Sequence, residues 1–159
     1  RVPNRMKQKD VQAFVSEKWA WIEKNYREMQ QKRQKREDLF QTYQLTDDRI
    51  QELAKQACQI IPQRVAYYAE KMGVTYGRIT IRNQKTRWGS CSSKGNLNFN
   101  CMLMLAPREV LDYVVIHELC HRKEMNHSKR FWKEVEKVMP DYEVHKKWLK
   151  DNGSILLIR

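Results

Sequence analysis

Three of the chain's four histidines fall within eleven residues, in the run His117-Glu118-Leu119-Cys120-His121-Arg122-Lys123-Glu124-Met125-Asn126-His127. Histidines four apart share one face of an α-helix, so His117 and His121 can grip a single ion. Glu118, beside the first of them, is placed to take a proton from the water such an ion activates. His127 supplies a third nitrogen once the chain turns back. Three protein ligands leave a fourth position open, which marks a catalytic zinc site rather than a closed structural one. Ser90 and Ser92 suggest a serine nucleophile only poorly, because no second base remains once these histidines are committed to a metal.

The residues around the pair must form a buried helix. Pro107 fits the first helical position, and Glu109 lies in the first turn, where the helix dipole favours an acid. Val110, Val114, His117 and His121 recur on one stripe, while Leu111, Val115, Ile116 and Leu119 make the other faces apolar. Such a helix belongs inside a fold, where a zinc site finds dry walls. His127 lies ten residues after His117, the spacing of the metzincin pattern H-E-x-x-H-x-x-G-x-x-H. Glu124 stands where that pattern has its turning glycine, so Asn126 is the residue expected to take the left-handed conformation. Ser128 reads as the N-cap of a further helix through Phe131, Trp132, Val135 and Val138 to Pro140. His145 reads as an ordinary helix residue.

Two blocks resemble a known family. Thr86-Arg87-Trp88-Gly89-Ser90-Cys91-Ser92-Ser93-Lys94-Gly95-Asn96-Leu97-Asn98-Phe99-Asn100 is similar to the R-W-G-S-C-S block of the YgjP-like metallopeptidases. The stretch from His117 to Trp132 resembles the zinc block of the same family, and the likeness covers approximately residues 50 to 150. The family is related to the SprT-like and WLM-type zinc proteases, some of them linked to DNA–protein crosslink repair. The resemblance implies an α+β fold with a compact gluzincin-like zinc-peptidase core. It also implies Zn2+ on His117, His121 and His127, with Glu118 as general acid/base. It supplies no substrate. Family members usually begin with a β-rich segment, whereas this chain starts at Arg1-Val2-Pro3, so a fragment trimmed near the end of that segment is expected.

The rest of the chain organises around this site. Residues from about Lys9 to Tyr43 read as one long charged helix, with Val11, Phe14, Val15, Trp19, Ile22 and Tyr26 at helical spacing. Thr46 or Asp47 caps a second helix that runs past Pro62 to Met72 and stops at Gly73. Residues 1–45 are therefore expected as a helical extension and 46–159 as the zinc metallopeptidase domain. Ile79 and Ile81 alternate with Arg78, Thr80 and Arg82, and Leu97, Phe99 and Cys101 alternate with asparagines after a turn at Lys94-Gly95. These strands predict a small antiparallel sheet packed on the zinc helix. The apolar tail Gly153–Ile158 is expected as a terminal strand or docking segment.

Charge adds a second signal. The formal net charge is +12, and from Lys71 to Arg108 there is no acidic residue, while Lys71, Arg78, Arg82, Lys85, Arg87, Lys94 and Arg108 lie in that span. Residues Leu97, Asn98, Phe99 and Asn100 are expected to offer an edge strand to an extended peptide or protein substrate. The basic strands would favour acidic peptides, nucleic acid or nucleoprotein. Arg87 fits two roles, stabilising an oxyanion or holding a nearby acid, and Trp88 either walls the cleft or anchors the sheet. The competing reading is a basic nucleic-acid-associated module whose zinc mainly holds the fold. Against it stand Glu118, which a structural site does not need, and the open ligand position. Four cysteines without a C-x-x-C pair read as reduced thiols, which points to a cytoplasmic protein, and no apolar run is long enough to span a membrane.

Overall fold

A computed structural model of the chain describes residues 7–157. The element order is α1 (Gln8–Tyr43), α2 (Asp47–Met72), β1 (Ile79–Arg82), β2 (Gly89–Cys91), β3 (Leu97–Asn100), a 3-10 turn (Cys101–Leu105), α3 (Arg108–Cys120), α4 (Lys129–Val138) and α5 (Tyr142–Leu156). Thr46 caps α2 with its hydroxyl accepting from the Arg49 N–H at 3.2 Å, and Gly73 ends it with φ +64°. Pro62 lies inside that helix without ending it. Leu53, Ala57, Ile61 and Val65, four apart, are buried along one side of α2. Against them α3 buries Leu111, Val114, Val115, Ile116 and Leu119, and Leu97, Phe99 and the 3-10 turn complete the core. Each fully buried aliphatic side chain contributes about 1.5–3 kcal/mol, so α3 is held chiefly by its apolar neighbours.

The sheet differs from the expected all-antiparallel arrangement. Its strand order is β1-β3-β2, with β2 and β3 antiparallel as a hairpin but β1 parallel to β3, Ile79 facing Leu97 and Arg82 facing Asn100. The chain leaves β1, crosses to the far side of the central strand and returns, so the third strand runs the same way as the first. Consequently β3 has partners on both sides. Leu97, Phe99 and Asn100 are buried, at 0%, 0% and 1% exposure, and the expectation that residues 97–100 present an open edge is corrected. Among the described residues β2, which packs on α3, has an unpaired outer edge.

At the ends of the chain, α1 forms over the expected span and packs against α5, yet Phe14, Trp19, Trp21 and Tyr26 stay exposed. The tail is helical through Leu156 rather than a strand, and Ile158 lies outside the described residues. Gly153 permits this packing: a Cβ there would stand 2.9 Å from the Trp88 Nε1, so the indole lies against bare helix backbone. Trp88, partly buried against the core, therefore anchors the sheet to α5.

Candidate metal centre

Helix α3 carries His117 and Glu118 in its last turn and His121 as its C-cap, still in right-handed helical conformation. The chain then reverses through consecutive tight turns, with the N–H groups of Arg122, Lys123 and Glu124 donating to the Leu119 and Cys120 carbonyls. Among the described residues only Gln44 is a non-glycine with positive φ, so Asn126 does not turn left-handed as expected. Ser128 caps α4, accepting from the Phe131 N–H, and His127 stands just before it.

That path brings the three histidines together. One ring nitrogen from each of His117, His121 and His127 lies within 4.8 Å of the others, and the Nε2 atoms of His117 and His127 are 2.9 Å apart. Two nitrogens sharing a tetrahedral zinc stand about 3.3 Å apart for Zn–N bonds of about 2.0–2.1 Å, so small ring movements would admit the ion. The His121 Nδ1 lies 3.2 Å from the Glu124 carbonyl, a contact that fixes its tautomer and leaves Nε2 free to ligate. The His117 Nδ1 is buried without a hydrogen-bond partner among the described residues, so the burial of that nitrogen is uncompensated. Burial, followed by the charges of His121, His127 and Lys146, pushes His117 down to about 3, and burial likewise lowers His121. Both rings are thus held in the neutral form that binds metal. Three convergent imidazoles fit zinc well.

Glu118 is 5% exposed, and burial pushes its carboxyl up to about 8 against the opposing pull of Arg87. Its carboxylate lies against the backbone of β2: a Cβ on Gly89 would be 2.6 Å from the Glu118 Oε1. The hairpin hydrogen bonds from Asn100 N–H to the Trp88 carbonyl and from Ser92 N–H to the Asn96 carbonyl fix the alternation. The peptide groups of Gly89 and Cys91 therefore point off the free edge of β2. Asn98 donates to the Ser90 hydroxyl at 3.2 Å across the hairpin. Asn100 is structural, donating to the Gln84 and Arg87 carbonyls and accepting from the Met102 N–H, which holds the loop that carries Arg87.

Sequence reasoning passed over several neighbours. Gly89 gives Glu118 its room, and only its place in the Arg87–Cys91 block signalled it. Arg122, next to His121, donates to the Thr75 carbonyl at 2.9 Å and the Ser93 carbonyl at 3.4 Å, tying the hairpin to the end of α3. Gly95, with φ +81°, accepts the close approach of that guanidinium. Trp132 lies 5.9 Å, ring to ring, from both His117 and His127, and Tyr142 stacks on it at 5.4 Å. His145 pairs with Asp141 at 3.2 Å on α5 and is absent from the metal cluster.

Known proteins fit this picture. The model of the YgjP-like metallopeptidase domain family matches residues 41–152. Two solved structures are similar in fold. The metallopeptidase zymogen abylysin of Pyrococcus abyssi is 24% identical, with 58% of this chain and 94% of that one covered at a TM-score of 0.52. The metallopeptidase zymogen jannalysin of Methanocaldococcus jannaschii is 24% identical, with 60% and 96% covered at a TM-score of 0.50. A comparison with curated proteins gave no match.

Proposed function

The chain belongs to the YgjP-like family of metallopeptidase domains, and from that premise we propose that it hydrolyses peptide bonds at a zinc ion held by His117, His121 and His127. The observation that carries this reading is the convergence of three imidazole nitrogens, with the buried Glu118 following the first of these histidines in α3. A zinc ion bound there would polarise a carbonyl and bring the pKa of water toward neutrality. Glu118 takes the proton of the attacking water and delivers it to the leaving amine. Gly89 and Cys91 pair through their backbone with an extended substrate laid along β2, beside the Glu118 carboxylate. Asn98 and Arg87 flank that path from the outer sheet face and the preceding loop, and Arg87 biases Glu118 toward its charged form.

The test is reconstitution. Hydrolysis should vanish with chelator, return with one equivalent of zinc, and be absent in E118Q, which still binds the metal. Full turnover by E118Q would remove Glu118 from this role.

One observation favours nucleic acid or nucleoprotein as an additional partner. Lys71, Arg78, Arg82, Lys85, Arg87, Lys94 and Arg108 are all exposed. None joins an ion pair among the described residues. Duplex binding that weakens steeply with salt, and less steeply after removal of Arg78, Arg82 and Lys85, would support it; binding with no salt dependence would not.

A further inference from the structure

Beside the metal cluster the fold builds a shelf that the mechanism above leaves idle. Trp132 of α4 and Tyr142 of α5 stack at 5.4 Å with an interplanar angle of 17°, and Tyr142 continues onto Tyr113 of α3 at 6.5 Å. The shelf borders the site, since the Trp132 and His127 rings lie 5.9 Å apart, centre to centre, at an interplanar angle of 27°. Lys146, one turn along α5 from Tyr142, lays its ammonium over this surface, 4.1 Å from the Trp132 ring centre and 5.7 Å from that of Tyr142. The ammonium therefore lies within about 10 Å of the His117 and His127 rings, the reach of some three residues of extended chain at about 3.3–3.6 Å each.

We propose that Lys146, held over Trp132, is a specificity-determining group that binds a substrate carboxylate next to the scissile bond. This rests on the peptidase reading and deepens it. Packing on the indole face limits where the long lysine side chain can swing, so less freedom is lost when a carboxylate arrives. The ammonium already shows the chemistry it would use: it pairs with Glu143 at 3.1 Å, with 42% and 64% of the two side chains exposed. Exposed pairs of this kind are weak, so Glu143 is a competitor that an incoming carboxylate displaces. Helix α3 packs against β2 as well as against α4 and α5, so the strand edge, the histidines and the shelf all border the same helix. The carboxylate belongs either to an acidic side chain or to the end of the substrate chain.

The experiment uses matched peptides with Glu or Gln at each position flanking the cut, with free or amidated C-termini. Cleavage by the zinc-loaded protein is read as the ratio of kcat/KM between carboxylate and amide partners. Binding of the same peptides is read by fluorescence anisotropy on zinc-loaded E118Q, which needs no turnover. The carboxylate preference should fall about fivefold in K146A, fall further in K146E, and rise in E143Q, where the competitor is gone. Sensitivity to the internal Glu assigns the site to side chains; sensitivity to amidation assigns it to a chain end. If no peptide is cut but binding still shows the preference and its loss in K146E, the shelf stands and the peptidase reading falls. A preference absent from both readouts, or unchanged across all three variants, overturns the proposal.

Discussion

Replacing Gly89 by alanine isolates the geometric core of this site. The new methyl would lie 2.6 Å from the Glu118 Oε1, 2.8 Å from its Cγ and 3.0 Å from its Cδ, whereas ordinary contacts begin near 3.4 Å. The carboxylate must retreat by nearly 1 Å or the strand must lift off α3. A misplacement of about 1 Å costs roughly 100-fold in rate, and overpacking costs about 1–3 kcal/mol of stability. Neither response touches the ring nitrogens of the histidines. G89A should therefore bind zinc about as tightly as the parent, melt several degrees lower, and lose about 100-fold in kcat with a smaller change in KM. Competition with a chromogenic chelator, thermal melts and steady-state peptide assays separate the three. Turnover within threefold of the parent would refute the placement of Glu118 against β2.

Other perturbations probe the neighbouring contacts. In the metal-free protein burial raises Glu118 to about 8 from an ordinary value of 4.5, so folding favours its protonated form and stability is lost as pH rises from about 5 through 8. E118Q removes that loss: its melting temperature should gain on the parent between pH 5 and 9, and parallel curves would contradict the burial argument. H127A should weaken zinc binding by more than the roughly 10–100-fold that loss of an outer hydrogen-bond partner costs; unchanged affinity would leave His127 outside the metal shell. G95A forces a methyl to 2.7 Å from the Arg122 Cζ at φ +81°, and should destabilise by about 1–3 kcal/mol. Its effect should be less than additive with R122A, since both break one contact; strict additivity would show that they act separately.

Much of this was legible in the sequence because it is local. The four-residue step from His117 to His121 and the apolar faces of residues 110–119 define the helix by period alone, and the Lys94-Gly95 turn marks the hairpin. What escaped is non-local. Alternation in residues 79–82 and 97–100 shows two strands but not their order, so nothing in it distinguishes a central strand from an edge. The half-exposed Asn98 was readable as surface, whereas Asn100 looks the same in sequence and is buried by hydrogen bonds to residues 84, 87 and 102. The turn before His127 lacks a left-handed residue because helix-end carbonyls carry the chain round. Trp132, Tyr142 and Lys146 read as helix-face residues until packing places them beside the cluster. Gly153, a poor helix former, sits in α5 where the Trp88 indole needs the space.

The most direct measurement is cleavage of a diverse peptide library by the zinc-loaded protein, read by mass spectrometry beside E118Q carrying the same zinc. Cuts made by the parent and absent from the variant are the expected result, and they establish a peptidase that depends on this carboxylate. Equal cutting by both proteins, or none by the parent with zinc bound in full, would contradict peptide hydrolysis through Glu118.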